Sequence, residues 1–318
     1  MLCILALSIK KALYKPPKMN RKTCIIIAGP TAVGKTDFAI ELAQHFSTQI
    51  ISADSRQCYK ELNIGVARPS AEELAAVHHY FIASHSIQQN FSAADYESYA
   101  LKCVDKIFQQ NDIAVMVGGT GLYIKAFCEG LDEIPPVEES IRQDILRAYD
   151  ANGVSWLQAS VQKEDPLYFE KGEIHNPQRL MRALEVKRGT GQSIIFFQSR
   201  QKKERPFNIM KLGLEIPRPV LYDRINTRVD RMMQDGLLNE VKMLQPYKSL
   251  NALQTVGYRE LFDHQEGLLS LEKAVELIKQ NSRHYAKRQL TWFKKDQDIT
   301  WLNAGDKSNL EKITSLFR

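Results

Sequence analysis

The octapeptide Gly29-Pro30-Thr31-Ala32-Val33-Gly34-Lys35-Thr36 carries the plainest chemistry in this sequence. Its GxxxxGK[ST] spacing lets successive backbone N–H groups curl around phosphate oxygens, while Lys35 neutralises their charge and Thr36 offers a hydroxyl to Mg²⁺. Such a loop works between a strand and a helix, where the helix N-terminus adds its partial positive charge. Two other short stretches can share a crevice with it. Ala53-Asp54-Ser55-Arg56-Gln57 presents a carboxylate, and Gly118-Gly119-Thr120-Gly121 presents a hydroxyl among glycines. Three roles are open to Asp54: magnesium ligand, general base, or N-cap of a helix. The glycines around Thr120 have two, a connection that close packing requires or a loop that touches substrate.

Arg224, Arg228 and Arg231 fall at i, i+4 and i+7 of an expected helix and so share a face. Like charges at this spacing repel by ~0.3 kcal/mol per pair, which calls for an anion unless Asp223, Asp230 and Asp235 neutralise a solvated face. Another basic stretch interleaves Arg283, Lys287, Arg288, Lys294 and Lys295 with His284, Tyr285, Trp292 and Phe293. That mixture suits phosphates and stacked bases, although Trp292 and Phe293 also read as core. His78, His79 and His175 lack metal-ligand spacing, so no zinc is expected.

These residues need elements to hold them. Residues 24–28 read as a buried strand ending at the phosphate loop, and residues 37–46 as a helix with Phe38, Leu42 and Phe46 on one face. Apolar runs at 49–52 and 113–117 lead into Asp54 and Gly118, with a helix at 93–109 between them and a fourth strand at 209–216. This alternation predicts an α/β fold of the P-loop type, a parallel sheet wound by right-handed crossovers and flanked by helices. The three chemical loops then lie beyond the carboxyl ends of strands, where such sheets bind ligands. Helices at 220–244 and 271–293 complete the core, which comprises residues 21–130 and 207–318. Residues 131–206 have a different texture: Pro135-Pro136 opens them, amphipathic helical patterns follow, and Arg200, Lys202, Lys203 and Arg205 crowd the end. They are expected to form a helical insertion domain, in which Asn176-Pro177 starts a helix running through about Arg188.

At 318 residues, with 44% hydrophobic and 25% charged, the chain has a globular composition that indicates neither disorder nor a membrane class. A net charge of +6 permits a polyanionic partner without requiring one. Five cysteines without a CxxC pair favour reduced thiols in a cytoplasmic protein. The apolar run Leu2 to Ile9 is too short to span a bilayer, and its lysines follow it. Residues 1–20 are expected to be disordered or to precede a true start at Met19.

Seven segments, taken in order, narrow the chemistry further: Gly29 to Thr36, Ile51 to Gln57, Gly65-Val66-Ala67-Arg68-Pro69, Gly118 to Tyr123, Asn176 to Glu185, Val256-Gly257-Tyr258-Arg259, and Tyr285 to Gln289. They resemble those of the bacterial tRNA dimethylallyltransferases, also called tRNA isopentenyltransferases, and the resemblance covers nearly everything after Thr23. It implies transfer of a dimethylallyl group from dimethylallyl diphosphate to N6 of the adenosine 3′-adjacent to the anticodon, with Mg²⁺ as cofactor and pyrophosphate released. The phosphate loop would then grip a prenyl diphosphate, and the adenine would be flipped out of its stack to reach it.

The same resemblance assigns roles. Asp54 would bond the adenine N6 as candidate base, Thr120 would position adenine or diphosphate, and Arg224, alone of the three arginines, would face the diphosphate. Contacts with the tRNA anticodon stem-loop are expected from Asp54, Ser55, Arg56, Gln57 and Thr120. In the insertion they are expected from Arg142, Gln178, Arg179, Leu180, Met181 and Arg182. Later in the chain they fall on Gln254, Thr255, Val256, Gly257, Tyr258 and Arg259, and on Arg283, Lys287 and Arg288. A monomer with no membrane partner is expected. The rivals are an isopentenyltransferase acting on free AMP, against which the basic insertion speaks, a small-molecule P-loop kinase, and a non-catalytic RNA-binding protein.

Overall fold

The computed structural model describes residues 22–199 and 201–317, so the expectations for residues 1–20 and for Arg200 fall outside the described residues. Six strands, β1 (Thr23–Ala28), β2 (Ile50–Ser52), β3 (His79–Tyr80), β4 (Ile113–Gly118), β5 (Asn208–Glu215) and β6 (Ile299–Asn303), form one parallel sheet in the order β3-β2-β4-β1-β5-β6. Helices α1 (Lys35–His45), α2 (Ala71–Ala76), α3 (Ala93–Phe108) and α4 (Gly121–Glu129) come first. Next are α5 (Glu139–Glu164), α6 (Pro166–Lys171) and α7 (Pro177–Thr190). Last come α8 (Arg218–Gln234), α9 (Leu237–Leu244), α10 (Tyr258–Gln265), α11 (Leu271–Phe293) and α12 (Asn309–Thr314).

β1 is buried throughout, and apolar after Thr23, because both faces of the sheet are covered where it lies. Cys24, Ile26 and Ala28 enter one core cluster and Ile25 and Ile27 the other, the alternation a strand imposes. Each fully buried isoleucine contributes about 1.5–3 kcal/mol. The register then levels the strand ends: Ala28 pairs with both Gly118 and Gly213, and Ser52 with Val117. The loops after β1, β2 and β4 therefore open on one edge. The chain leaves β1 toward β2 and leaves β4 toward β5, in opposite directions, which is where a parallel sheet opens a ligand crevice.

The helix expected over 220–244 is two helices. α8 stops at Gln234, and Gly236, at φ 100, starts α9. A left-handed residue inside a helix breaks its hydrogen-bond ladder, and glycine tolerates that geometry. β3 and β6, two further strands at the sheet's edges, were not expected; β3 is only two residues long, and β6 carries exposed polar residues.

Residues 129–199 with 201–204 cluster as one compact unit, and residues 22–128 with 205–317 as another. In the first of these, α7 packs on α5 through a core that includes Leu157, Val161, Leu180 and Leu184. Asn176 caps α7 by accepting from the N–H groups of Gln178 and Arg179, with Pro177 at the first position. In the sheet-bearing unit, Arg205 is held by Glu97 at 2.8 Å and by the Phe127 and Ala126 carbonyls. Among the described residues, no helix is long and apolar enough to cross a membrane.

Candidate active site

Gly29 sits at φ 147, and a Cβ there would lie 2.7 Å from the Leu214 carbonyl oxygen, so a side chain is excluded where the phosphate loop leaves β1 beside β5. The Thr31 N–H donates to Gln289 Oε1 at 2.9 Å, and Gln289 Nε2 donates to the Gly119 carbonyl at 3.0 Å. One buried amide from α11 thus ties the phosphate loop to the loop after β4. Lys35 Nζ donates to the Pro30 carbonyl at 2.6 Å. Protein packed around this ammonium pushes its pKa down to about 7; Arg228 adds to the effect and Asp54 opposes it.

The loop opens on a cavity of about 1070 Å³, lined by Thr31, Ala32, Gly34, Lys35 and Thr36 on its phosphate-loop side. Arg224, Arg228 and Arg231 all border it, where only Arg224 was expected to matter. Arg224 Nη1 donates to the Val33 carbonyl at 3.4 Å, and Arg228 Nη1 to Thr31 Oγ1 at 3.3 Å. Asp230, one of the carboxylates that could have neutralised them, pairs with Lys279 at 2.5 Å instead. Burial lowers the Arg228 pKa while the charges of Asp37 and Glu73 raise it. Ile64, Val66, Leu74, Val220 and Met232 add apolar surface to the same cavity.

A second cavity, about 340 Å³, is lined by Ser55, Arg56, Gln254, Thr255, Arg259 and Arg288, among others. Asp54, Val66, Ala67, Arg228, Met232 and Tyr285 border both cavities. Asp54 Oδ1 accepts from the N–H groups of Arg56 at 2.8 Å and Gln57 at 3.2 Å, which caps the turn after β2. Oδ2 makes no hydrogen bond among the described residues. The capping role and a carboxylate oxygen free for chemistry therefore coexist in one side chain. Beside it, burial raises the Tyr285 pKa to about 12, helped by the charge of Asp54.

Thr120 borders neither cavity; its Oγ1 accepts from the Ser55 N–H at 3.0 Å, and its own N–H donates to the Ala53 carbonyl at 3.1 Å. It aligns the Asp54 loop. The neighbouring glycines are explained by packing: a Cβ on Gly118 would lie 2.2 Å from the Ala53 carbonyl oxygen, and one on Gly121 would lie 2.2 Å from the Trp292 indole.

Several expected RNA contacts are interior. Leu180 and Met181 belong to the insertion core, because they occupy the face of α7 opposite its arginines. Tyr258 is fully buried with its hydroxyl on Glu240 at 2.6 Å, whereas Gly257 next to it lines the smaller cavity. Gln57 and Arg283 are half-buried instead: Gln57 lines the larger cavity with its amide held by the Val66 and Ala67 carbonyls, and Arg283 is held by Asn226 at 2.7 Å and the Tyr222 ring. Others are placed to meet a ligand. Gln178 and Arg179 are exposed, and Val256 lines the smaller cavity. Arg142, Gln178 and Arg182 gather around a hollow of about 140 Å³, where Glu185 pairs with both arginines. His284, Lys287, Arg288, Thr291, Trp292 and Lys295 form an outer hollow of about 390 Å³. Trp292 is 40% exposed while Phe293 is core, so the two aromatics part company.

Sequence reasoning missed Gln289 as the brace of the phosphate loop; its place at the end of a basic motif suggested RNA instead. It missed Glu240 altogether, since one glutamate on an amphipathic helix gives no sign of being buried. Among the described residues, no group of three or more His, Cys, Asp or Glu could hold a metal ion.

Fold and site together define an α/β P-loop protein in which the cavity at the phosphate loop meets a second, arginine-lined cavity at one carboxylate. The sequence model of IPP transferases matches residues 57–296. tRNA dimethylallyltransferase 1 of Phocaeicola vulgatus is 45% identical over 288 residues, covering 91% of this chain and 96% of its own length. The tRNA dimethylallyltransferase of Christiangramia forsetii is 47% identical over 284 residues, covering 89% and 94%. The crystal structure of the full-length tRNA isopentenylpyrophosphate transferase from Bacillus halodurans superposes with a TM-score of 0.68 at 34% identity, covering 93% of this chain and 97% of that one. A eukaryotic dimethylallyltransferase acting on tRNA gives a TM-score of 0.74 at 26% identity, covering 93% and 78%. The chain belongs to the IPP transferase family, the tRNA dimethylallyltransferases.

Proposed function

We propose that this chain transfers a dimethylallyl group from dimethylallyl diphosphate to N6 of the adenosine 3′-adjacent to the anticodon of tRNA. The observation that carries the proposal is the place of Asp54, where the phosphate cavity and the arginine-lined cavity meet. The diphosphate lies against the backbone N–H groups of the phosphate loop, with Lys35, Arg224, Arg228 and Arg231 around it. The allylic carbon reaches the junction, and adenine enters from the side of Arg56, Gln254 and Arg288. As the C1–O bond breaks, its electron pair leaves with pyrophosphate, and the lysine and arginines stabilise the charge that accumulates there. The N6 lone pair forms the new bond to C1, and the proton then displaced from N6 passes to Asp54 Oδ2.

Thr36 and Asp37 border the phosphate cavity, and among the described residues its carboxylates form no group of three or more that could hold a metal by themselves. That donor set suits Mg²⁺, which takes most of its ligands from phosphate oxygens and water. Bound by Thr36, the ion supplies further neutralisation of the pyrophosphate. The exposed Gln178 and Arg179, with Arg142 and Arg182, meet the stem-loop through the insertion, and the chain works as a monomer. Incubation with dimethylallyl diphosphate, Mg²⁺ and either unmodified tRNA or AMP, followed by mass spectrometry of the digests, tests the proposal. Prenylated adenosine from tRNA alone is expected. Product on AMP would move the chain to free-nucleotide prenylation, and product on neither would refute the transferase proposal.

A further inference from the structure

Glu240 of α9 borders neither cavity, yet it is 7% exposed and its carboxylate accepts four hydrogen bonds. Oε2 takes the N–H groups of Asn63 at 3.1 Å and Ile64 at 2.7 Å; Oε1 takes that of Gly65 at 3.0 Å and the Tyr258 hydroxyl at 2.6 Å. No cation pairs with it among the described residues. Successive N–H groups converging in this way make an anion-binding nest, and here the chain's own carboxylate fills it. Tyr258 closes the arrangement: a Cβ on Gly65 would lie 2.6 Å from its ring. From the other side, Gln57 Nε2 donates to the Val66 carbonyl at 3.2 Å and the Ala67 carbonyl at 2.8 Å. Residues 63–67 are therefore held by their N–H groups from α9 and by their carbonyls from the loop that bears Asp54.

This doubly tied segment is the wall at which the two cavities meet, since Val66 and Ala67 border both, as does Met232 across from α8. We infer that Glu240 is a positioning residue that sets the length of prenyl chain the junction accepts, an inference that rests on the transferase activity proposed above. Held in place, the wall fixes the apolar surface of Val66 and Met232 at the junction; released, it gives way to a longer prenyl group.

The test uses the full chain with pyrophosphate, dimethylallyl diphosphate and geranyl diphosphate, measuring affinity for each and prenyl transfer to tRNA. Glu240→Gln keeps the side chain's shape but turns an NH₂ donor toward backbone N–H groups. Pyrophosphate affinity stays as in the wild type, because the phosphate loop is untouched. Preference for dimethylallyl over geranyl diphosphate falls by about tenfold or more, the scale on which hydrophobic pockets discriminate chain length. Tyr258→Phe removes a single bond to the carboxylate, shifts the preference the same way by less, and decides the matter if Glu240→Gln does not fold. Equal weakening of all three ligands, or an unaltered preference in folded variants, would overturn the inference and leave Glu240 a stabilising residue only. Failure of the wild type to transfer either group to tRNA would count against the proposed function instead.

Discussion

The free oxygen of Asp54 gives the residue its double character. Because Oδ1 is committed to the turn and only Oδ2 is open, Asp54→Ala should cost turnover far more than binding. A loss of about 10²–10⁴-fold in single-turnover rate is expected, the usual worth of a positioned acid–base group. Affinity for tRNA should stay within a few fold, and losses of equal size in rate and affinity would show that Asp54 is a binding residue. Asp54→Asn keeps the cap but not the base, so it should retain the wild-type melting temperature while losing rate. Lys35 yields a pH prediction. Its pKa is near 7 in the free protein, and a bound diphosphate raises it, so the complex holds more protons than the free protein above pH 7. Donor affinity must then weaken with rising pH, by up to tenfold per unit for one proton. Lys35→Arg should flatten that dependence, since arginine keeps its charge; an identical slope in both proteins would assign it to the donor's own titration. For stability the sign reverses. Between pH 7 and the ordinary lysine value the unfolded chain binds the extra proton, so this group makes the unliganded fold more stable as pH rises.

At the level of elements, what the site needs is a set of loops leaving level strand ends, and a helix to brace them. Gln289 of α11 does the bracing. Gln289→Leu strands the Thr31 N–H and the Gly119 carbonyl, each at a cost of about 1–3 kcal/mol if it stays dry. A lower melting temperature and weaker pyrophosphate binding are expected together. Gln289→Glu keeps the acceptor for Thr31 but adds a negative charge beside the phosphates, so it should weaken pyrophosphate more than it lowers the melting temperature. The strands and the phosphate loop were legible in the sequence because their signals are local: an unbroken apolar run such as residues 24–28, then glycines at fixed spacing. α7 announced itself through Asn176-Pro177. The break at Gly236 was legible too, but the apolar period continues across it and outweighed one glycine. Glu240 was not legible, and although the segments at 65–69 and 285–289 stood out as motifs, their structural roles did not, since the groups that Gln289 and the wall at residues 63–67 bond to lie elsewhere in the chain. Arg228 shared its pattern with Arg224, and only the three-dimensional arrangement placed it at both cavities.

For the molecule as a whole, the proposed function divides recognition and chemistry between the insertion and the sheet-bearing unit, and the two roles would respond to different perturbations. Arg179 is exposed and unpaired among the described residues, so Arg179→Ala should lower the salt dependence of tRNA binding by a slope of about 1, as the loss of one phosphate contact does. Leu180 is buried next to it, and Leu180→Ala should instead destabilise the fold by about 2–5 kcal/mol and leave the salt slope alone. Arg182 and Arg142 already share Glu185, so each should contribute less to the slope than Arg179. The brace on the phosphate loop also has a consequence in time. Thr31 and Gln289 are 258 positions apart, so a ribosome makes the loop early and its brace near the end. A nascent chain that has emerged through β5 already has the sheet strands around the loop, yet lacks the amide that holds Thr31. Chains stalled before α11 should therefore bind pyrophosphate weakly, and those stalled after it should bind like the finished protein. The enzyme would come into its anion affinity only as synthesis is almost over.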